Sequence, residues 1–177
     1  EKSTHLSMRW GDRSLAEFER GDDGSQALYG IVQGGTFADL RAGSAAWTAD
    51  RPFFGTAIGG TLGGSKAQMY EVVEMATGGI HPARPVHLLG IGNIVDVFAG
   101  VRLGMDTFDC VHPTRVARHG WALRRGVPGE RINLRNAAYR DATGPIDESC
   151  GCETCRTYAL GYLHHLVRAS ELVGQVL

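Results

Sequence analysis

Apolar residues along this chain fall in short runs that end in glycine, and the runs alternate with stretches of helical periodicity. The first run is too short for a buried helix and is apolar throughout, which is typical of a strand that is buried on both faces. We therefore predict four strands, each closed by glycine or polar residues. The runs and their closing residues are 27–33 with Gly34-Gly35, 54–58 with Gly59-Gly60, 86–89 with Gly90-Ile91-Gly92, and a run before Asp109.

The segments between these strands have the signals of amphipathic helices. A further helix, with apolar positions at 6, 10, 15 and 18, is predicted before the first strand. Gln68 follows Ser65 by three residues, which is the capping-box pattern. In the last of these helices we expect Val97, Phe98 and Val101 to face inward. The predicted capping residues are Thr36, Ser65 and Asn93.

Strands that alternate with helices predict βαβ units and a parallel sheet, in which ligands bind at the C-terminal ends of the strands. Four such units are half of a (β/α)8 TIM-type barrel, and an open doubly wound sheet also fits the pattern. After Arg118 the pattern changes to a predicted β-hairpin over 121–123 and 131–134, and then a long helix over 156–173. We accordingly divide the chain into a partial barrel, residues 1–118, and a smaller region, residues 119–177.

Composition restricts the partners of this chain. Its 177 residues are 43% hydrophobic with a net charge of −1, no apolar run approaches the ~20 residues of a membrane span, and no signal peptide is visible, so we expect a cytoplasmic globular protein. The stretch 115–140 nevertheless has seven arginines and one acid. Arginine is well suited to phosphate contacts and base stacking, although a charged stretch is as often only a solvated surface.

Three of the four cysteines are crowded into Cys150, Cys152 and Cys155. This C-x-C-x-x-C spacing favours a structural zinc site over disulfides. His164 or His165 could supply a fourth ligand, but either could equally be an ordinary helix residue. The fourth cysteine, Cys110, is better explained as a packed core residue than as a reactive thiol.

Asp109, at the end of the fourth predicted strand, is the main candidate for chemistry. A carboxylate there could be a nucleophile, a general base or an ion-pair partner of Arg115, which we place on a loop of fixed positive charge. The glycines at the other strand ends allow a flat ligand to approach the backbone. Gln33 adds an amide that can both donate to and accept from the edge of a base. Alternatively, its side chain only satisfies the hydrogen-bonding groups of a loop.

With these residues in place, the chain resembles the tRNA-guanine transglycosylases, also called queuine tRNA-ribosyltransferases, over nearly its whole length. Several motifs in the same order make a chance resemblance very improbable. The motifs are LSMRW at 6–10, GIVQGG at 30–35, AIGG at 57–60, FDCV at 108–111, PTR at 113–115, GPID at 144–147 and CGCETC at 150–155.

The resemblance implies a (β/α)8 barrel with an inserted hairpin and a C-terminal zinc-binding subdomain. It implies that guanine at the anticodon wobble position of tRNA is exchanged for queuine or a 7-deazaguanine precursor, with Asp109 as the nucleophile that forms a covalent bond to the ribose. The residues implied to bind the base are Gln33, Gly59, Gly60 and Leu89. Those implied to bind RNA are Gly90, Ile91, Gly92, Asn93, Ile94, Val95 and Asp96, with Thr114, Arg115, Val116, Ala117 and Arg118.

The resemblance also implies that the three cysteines bind zinc with a histidine expected beyond Leu177, rather than with His164 or His165. The family's proton-transfer aspartate matches no residue here, so we expect a fragment that is inactive alone, of a protein that is homodimeric when complete. Ser65 stands where bacterial relatives usually have a glutamate, which favours a queuine-like base. The alternatives are a non-catalytic, zinc-stabilised tRNA-binding partner subunit and a relative that acts elsewhere on tRNA.

Overall fold

The computed structural model describes residues 1–177, which form two compact units, Glu1–Cys110 and Val111–Leu177. The first unit therefore ends before Arg118, the last residue of the predicted partial barrel. The division of roles between 1–118 and 119–177 stays a prediction. No helix in the chain is both long enough and apolar enough to cross a membrane.

The first unit is a four-stranded parallel sheet with its helices between successive strands, which confirms the predicted βαβ order. The strands lie side by side in chain order, with Val32 paired to Ile58, Ile58 to Leu88 and Leu88 to Phe108. The strands are β1 (Tyr29–Val32), β2 (Gly55–Ile58), β3 (Val86–Leu88) and β4 (Thr107–Phe108). The helices are α1 (Lys2–Gly21), α2 (Ala38–Ala49), α3 (Lys66–Thr77) and α4 (Ile94–Arg102).

The core of this unit lies on one face of the sheet, between the strands and helices α2 and α3. Every residue of β2 is buried, as expected for an inner strand of a parallel sheet. In β1, by contrast, Ile31 is 40% exposed, so the expectation of burial on both faces was wrong for this edge strand. The buried core residues are Val32, Ala45, Ile58, Val73, Ala76, Val86, Leu88 and Met105.

Helix α4 is rotated relative to the prediction. Of the three residues predicted to face inward, Val97 is half-buried, whereas Phe98 and Val101 are exposed; the residues buried along α4 are Asp96 and Gly100. A Cβ on Gly100 would lie only 2.7 Å from Cε1 of Phe108, so the glycine allows α4 to approach β4 closely. Backbone proximity therefore decides which face of the helix is inward, rather than the apolar residues that the pattern favoured.

Two of the three predicted caps are confirmed. The Ser65 hydroxyl accepts from the amide of Gln68, and the Gln68 side chain accepts from the amide of Gly64 rather than from that of Ser65. The side chain of Asn93 accepts from the amide of Val95. The prediction for α2 was wrong, because positive φ angles at Gly34 and Gly35 form a turn that contains Thr36, and the helix begins only at Ala38.

The second unit contains the predicted hairpin and a set of short helices. Residues 112–118, predicted as a loop, form a helix, since Pro113 falls in its first turn, where a missing amide hydrogen has no cost. The strands are β5 (Trp121–Leu123) and β6 (Arg131–Asn133), which pair antiparallel. The helices are α5 (His112–Arg118), α6 (Glu153–Thr157), α7 (Leu160–Arg168) and α8 (Val173–Val176), with 3-10 turns at Pro128–Glu130 and Ala137–Tyr139.

The long helix predicted over 156–173 is broken at two points. Tyr158 is extended, and the amides of Leu160 and Gly161 donate to the carbonyls of Gly144 and Ala142 instead of to a preceding helical turn. The second break is at Ser170, where φ is 61°. The connected core of this unit consists of Ile132, Leu134, Leu160 and Val167, and Val116, Leu163 and Leu166 are also buried.

Candidate functional site

The C-terminal ends of β1, β2 and β3 bring together the four residues predicted to bind a base. A Cβ on Gly60 would lie 2.3 Å from Oε1 of Gln33, and a Cβ on Gly59 would lie 2.8 Å from Cδ1 of Leu89. The missing side chains of these two glycines are therefore what allow Gln33 and Leu89 to lie directly against the backbone of β2. The positive φ of Gly60, 79°, adds a conformational reason for glycine at that position.

Two open cavities flank Gly60 on this edge of the sheet. One, of about 430 Å³, is lined by Gln33, Gly60 and the exposed ring of Phe37, among others. The other, of about 480 Å³, is lined by Gly60, Leu89 and Gly90, together with residues 62–66. Each volume lies in the range of small-molecule sites. Gly60 lines both cavities, so the backbone between them has no side chain.

Arg41 holds the backbone of these strand ends in place. Its side chain is fully buried and its guanidinium donates to four carbonyls at 2.8–3.1 Å, those of Val32, Gly35, Gly59 and Thr61. Burial lowers the pKa of the guanidinium, but four carbonyl acceptors match the donors of a charged arginine. Arg41 was not predicted from the sequence. The signal is a buried stripe at 41, 44, 45 and 48 of α2, in which arginine takes a core position.

Asp109 lies just beyond β4 and is held by two donors. Its Oδ1 accepts from the amide of Gly90 at 2.9 Å and lies 3.0 Å from Nε2 of His87. The Gly90 amide first, and then His87, lower the pKa of Asp109, so the carboxylate is ionised at neutral pH. The side chain is 58% exposed, which leaves the carboxylate accessible to a substrate.

The segment Gly90–Asp96 forms the loop after β3 and the first turn of α4. Ile94 and Val95 are exposed, whereas the carboxylate of Asp96 is buried and accepts from Nζ of Lys66 at 2.9 and 3.1 Å and from the hydroxyl of Tyr70 at 2.7 Å. The Asp96 carboxylate raises the pKa of both Lys66 and Tyr70. Asp96 thus ties this loop to α3 and does not face outward.

In the second unit, three of the five residues of the α5 segment Thr114–Arg118 are exposed, and Ala117 is half-buried. Thr114, Arg115 and Arg118 are exposed, and Val116 is buried. On the hairpin, Cζ of Arg131 lies over the Trp121 ring, 4.9 Å from its centroid, a cation–π contact that helps to position the exposed arginine. Arg115 and Arg118 on α5 and Arg131 on β6 are therefore exposed cations on ordered elements.

The three crowded cysteines converge. The Sγ atoms of Cys150, Cys152 and Cys155 all lie within 4.8 Å of one another. Cys152 caps α6, and the amide of Cys155 lowers the pKa of the Cys152 thiol, whereas burial raises that of Cys155. Thiolates bind zinc at about 2.3 Å, so three sulfurs this close fit one ion. His164 is buried, and its Nδ1 lies 2.7 Å from the carbonyl of Leu134, which separates it from the cluster.

Comparison with known proteins decides the family. A family model described as queuine tRNA-ribosyltransferase matches residues 1–177. The chain belongs to that family. Among similar proteins, the queuine tRNA-ribosyltransferase of Roseiflexus sp. (strain RS-1) is 51% identical over 150 residues, 84% of this chain and 38% of the relative. Those of Janthinobacterium sp. (strain Marseille) and Aromatoleum aromaticum are each 45% identical over 98% and 99% of this chain.

The chain spans less than half the length of these queuine tRNA-ribosyltransferases, with 45% and 47% of the last two relatives matched. Within that span the structure brings Gln33, Gly59, Gly60 and Leu89 together at one sheet edge, and it places Asp109 beside Gly90 at the ends of β3 and β4. His87, the second partner of Asp109, was not identified from the sequence. A histidine in a short apolar strand was the available signal.

Proposed function

We propose that the protein containing this chain exchanges guanine at the wobble position of tRNA for queuine or a related 7-deazaguanine, with Asp109 as nucleophile. The observation that carries the proposal is the Asp109 carboxylate itself, ionised, exposed and oriented by the Gly90 amide. Family membership makes a tRNA-guanine transglycosylase the natural activity for such a carboxylate.

The reaction is a double displacement. A carboxylate oxygen of Asp109 attacks C1′ of the ribose, a C1′–O bond forms, and the bond from C1′ to guanine breaks with its electron pair moving to the base, which takes up one proton. The incoming base then loses its proton, attacks the same carbon and releases the carboxylate. A covalent intermediate divides one difficult exchange into two displacements with similar leaving groups.

Base recognition is assigned to the edge formed by Gln33, Gly59, Gly60 and Leu89. The Gln33 amide can pair with both a donor and an acceptor of a purine-like base, and the two glycines let a flat ring approach the backbone. Four parallel strands with a site at their C-terminal ends support a (β/α)8 barrel in the complete protein, of which this chain forms a part.

Contacts to tRNA are assigned to the loop 90–95 and to Thr114, Arg115 and Arg118. Proteins read RNA sequence mainly in single-stranded loops, where splayed bases stack on aromatic or guanidinium planes. Exposed arginines on α5 and the Trp121-supported Arg131 suit that purpose. The buried side chains of Asp96 and Val116 keep only a supporting role.

A structural zinc ion is assigned to Cys150, Cys152 and Cys155, which would hold it through three thiolates. The histidine expected as fourth ligand stays a prediction. The ion supplies cross-links among the thiolates and takes no part in base exchange. Thr154, within the cysteine loop, donates to the carbonyl of Leu177 at 2.8 Å, so α8 is tied to the same loop.

The test uses the complete protein and a tRNA with guanine at the wobble position. Asp109→Ala is expected to abolish incorporation of labelled guanine and the tRNA adduct seen on a denaturing gel, while tRNA binding survives. Glu71→Ala, which removes an exposed carboxylate on α3, is the matched control and keeps full activity. Undiminished exchange in Asp109→Ala would contradict the nucleophile assignment.

Two other outcomes distinguish the alternatives. A wild-type protein that binds tRNA but forms no covalent adduct would indicate a non-catalytic partner subunit. Exchange at a nucleotide outside the anticodon, located by mass mapping of the modified tRNA, would indicate a relative with another target position.

A further inference from the structure

We infer that His87 is a positioning residue that holds Oδ1 of Asp109 and thereby makes Oδ2 the oxygen that attacks the ribose. This inference rests on the proposed function and adds to it a residue and an atomic assignment. It begins from a chain of three side chains. Thr107 Oγ1 lies 2.8 Å from Nδ1 of His87, and Nε2 of the same ring lies 3.0 Å from Oδ1 of Asp109.

The backbone makes this chain of contacts a consequence of strand pairing. His87 on β3 is the register partner of Thr107 on β4. Asp109 follows Thr107 by two residues, so the two side chains leave the chain in the same direction and His87 can reach both. The edge of the Tyr29 ring packs against the imidazole, with centroids 6.4 Å apart and planes at 73°, which limits rotation of His87.

The protonation of the imidazole follows from its partners. An ionised carboxylate only accepts hydrogen bonds, so Nε2 of His87 carries the hydrogen and donates to Asp109. In the neutral ring Nδ1 is then an acceptor, and the hydroxyl of Thr107 donates to it. The Asp109 carboxylate thus selects the tautomer of His87, and the hydroxyl of Thr107 satisfies the remaining ring nitrogen.

Both observed donors to the carboxylate, the Gly90 amide and His87, address Oδ1. When Oδ2 forms the bond to C1′, Oδ1 becomes the carbonyl oxygen of the ester and still accepts from the same two groups. When that bond breaks, negative charge returns to the carboxylate and the two hydrogen bonds strengthen. His87 therefore orients the first displacement and stabilises the leaving carboxylate in the second.

The titratable groups that face the imidazole are few. Asp109 contacts it from the end of β4 and Tyr29 packs against it from β1, while Asp106 reaches only the amide of the neighbouring Val86. We expect kcat/KM for guanine exchange to rise with pH as Asp109 ionises, because Asp109 must be a carboxylate to attack. Because His87 lowers the pKa of Asp109, removing His87 raises that pKa and moves the limb to higher pH.

The experiment compares two substitutions of His87 in the complete protein. His87→Leu removes the donor, and we expect kcat for guanine exchange to fall about 10- to 100-fold with the KM for tRNA unchanged. The acid limb of kcat/KM moves to higher pH in the same variant. His87→Gln keeps an N–H donor and is expected to recover most of kcat and the wild-type limb.

A second variant covers the case in which His87→Leu does not fold. Thr107→Val keeps the shape of the side chain but removes the hydroxyl that contacts Nδ1 of His87, so the ring is held less firmly and we expect a smaller fall in kcat, about 3- to 10-fold. Full kcat in both His87→Leu and Thr107→Val, or equal loss in His87→Leu and His87→Gln, would overturn the inference. In those outcomes the wild type still forms its Asp109 adduct, whereas failure of the proposed function removes the adduct itself.

Discussion

The two units of this chain differ in the interactions available to stabilise them. In the first, the carbonyls at the strand ends are bound by the buried guanidinium of Arg41, above a core of eight buried apolar residues. In the second, four buried apolar residues form one connected core, Val116, Leu163 and Leu166 are buried outside it, and three thiols cluster in the loop before and the first turn of α6. Packing and one buried cation stabilise the first unit, whereas units as small as the second commonly gain stability from a cross-link, which the proposed zinc ion would supply.

This difference has a functional counterpart. The first unit contains the proposed nucleophile and the proposed base-binding residues, which require fixed geometry because a displacement of about 1 Å would impair them. The second unit offers exposed arginines, whose attraction to phosphate tolerates more variation in position. The buried arginine and the thiol cluster are the points at which each unit can be weakened separately.

The largest effect on stability is expected when the proposed zinc ion is removed from the second unit. A structural zinc site contributes on the order of 10 kcal/mol of binding free energy, which is also folding free energy. Removal of zinc by a chelator, or Cys152→Ser, is therefore expected to abolish hydrogen-exchange protection of the α7 amides. The amides of β2 are expected to keep theirs.

Cys110→Ala is the control for this experiment, since it removes the one thiol outside the cluster. We expect it to retain one zinc per chain by atomic absorption. Equal zinc content in Cys152→Ser and the wild type would show that the cluster does not bind the metal.

Substitution of Arg41 tests the first unit. Arg41→Leu removes the guanidinium from four carbonyls, two in buried and two in part-buried hydrogen bonds, and we expect the opening free energy of the β1 and β2 amides to fall by about 3 kcal/mol in native-state hydrogen exchange. Arg102→Leu replaces an exposed arginine on α4 and should cost about 0.5 kcal/mol or less. If the two variants behaved alike, the guanidinium would not be what holds the strand ends.

The smallest effect is expected from the arginines of α5. Arg115→Gln with Arg118→Gln should weaken tRNA binding about 10-fold at moderate salt, and each lost phosphate contact should make the slope of log K against log salt shallower by about 0.7. Arg168→Gln, which neutralises an exposed arginine on α7, is the matched control. If the slope of log K against log salt were unchanged in the double variant, Arg115 and Arg118 would face solvent and would not contact RNA phosphates.

Much of the first unit was predictable from local patterns. The four strands, their parallel order and the caps at Ser65 and Asn93 follow from short apolar runs, glycine boundaries and polar residues before helical periods. The predicted neighbours Gln33, Gly60 and Leu89 do meet, because parallel strands bring their C-terminal ends to one edge.

Predictions failed where a partner distant in sequence competes with the local pattern. The long helix is interrupted because the amides at 160 and 161 bond to carbonyls at 144 and 142. Phe98 lies outward because the small residue Gly100 lets α4 approach Phe108. Neither partner is visible in the periodicity of its own segment.

The sequence by itself determined the alternation of strands and helices, the thiol spacing and the position of Asp109 at a strand end, since each depends on residues a few places apart. Only the tertiary structure decided that Arg41 is buried beneath the strand ends and that His87 and Thr107 align with Asp109. Those contacts join residues from different strands and helices. Their geometry exists only when the sheet has brought distant backbone segments into register.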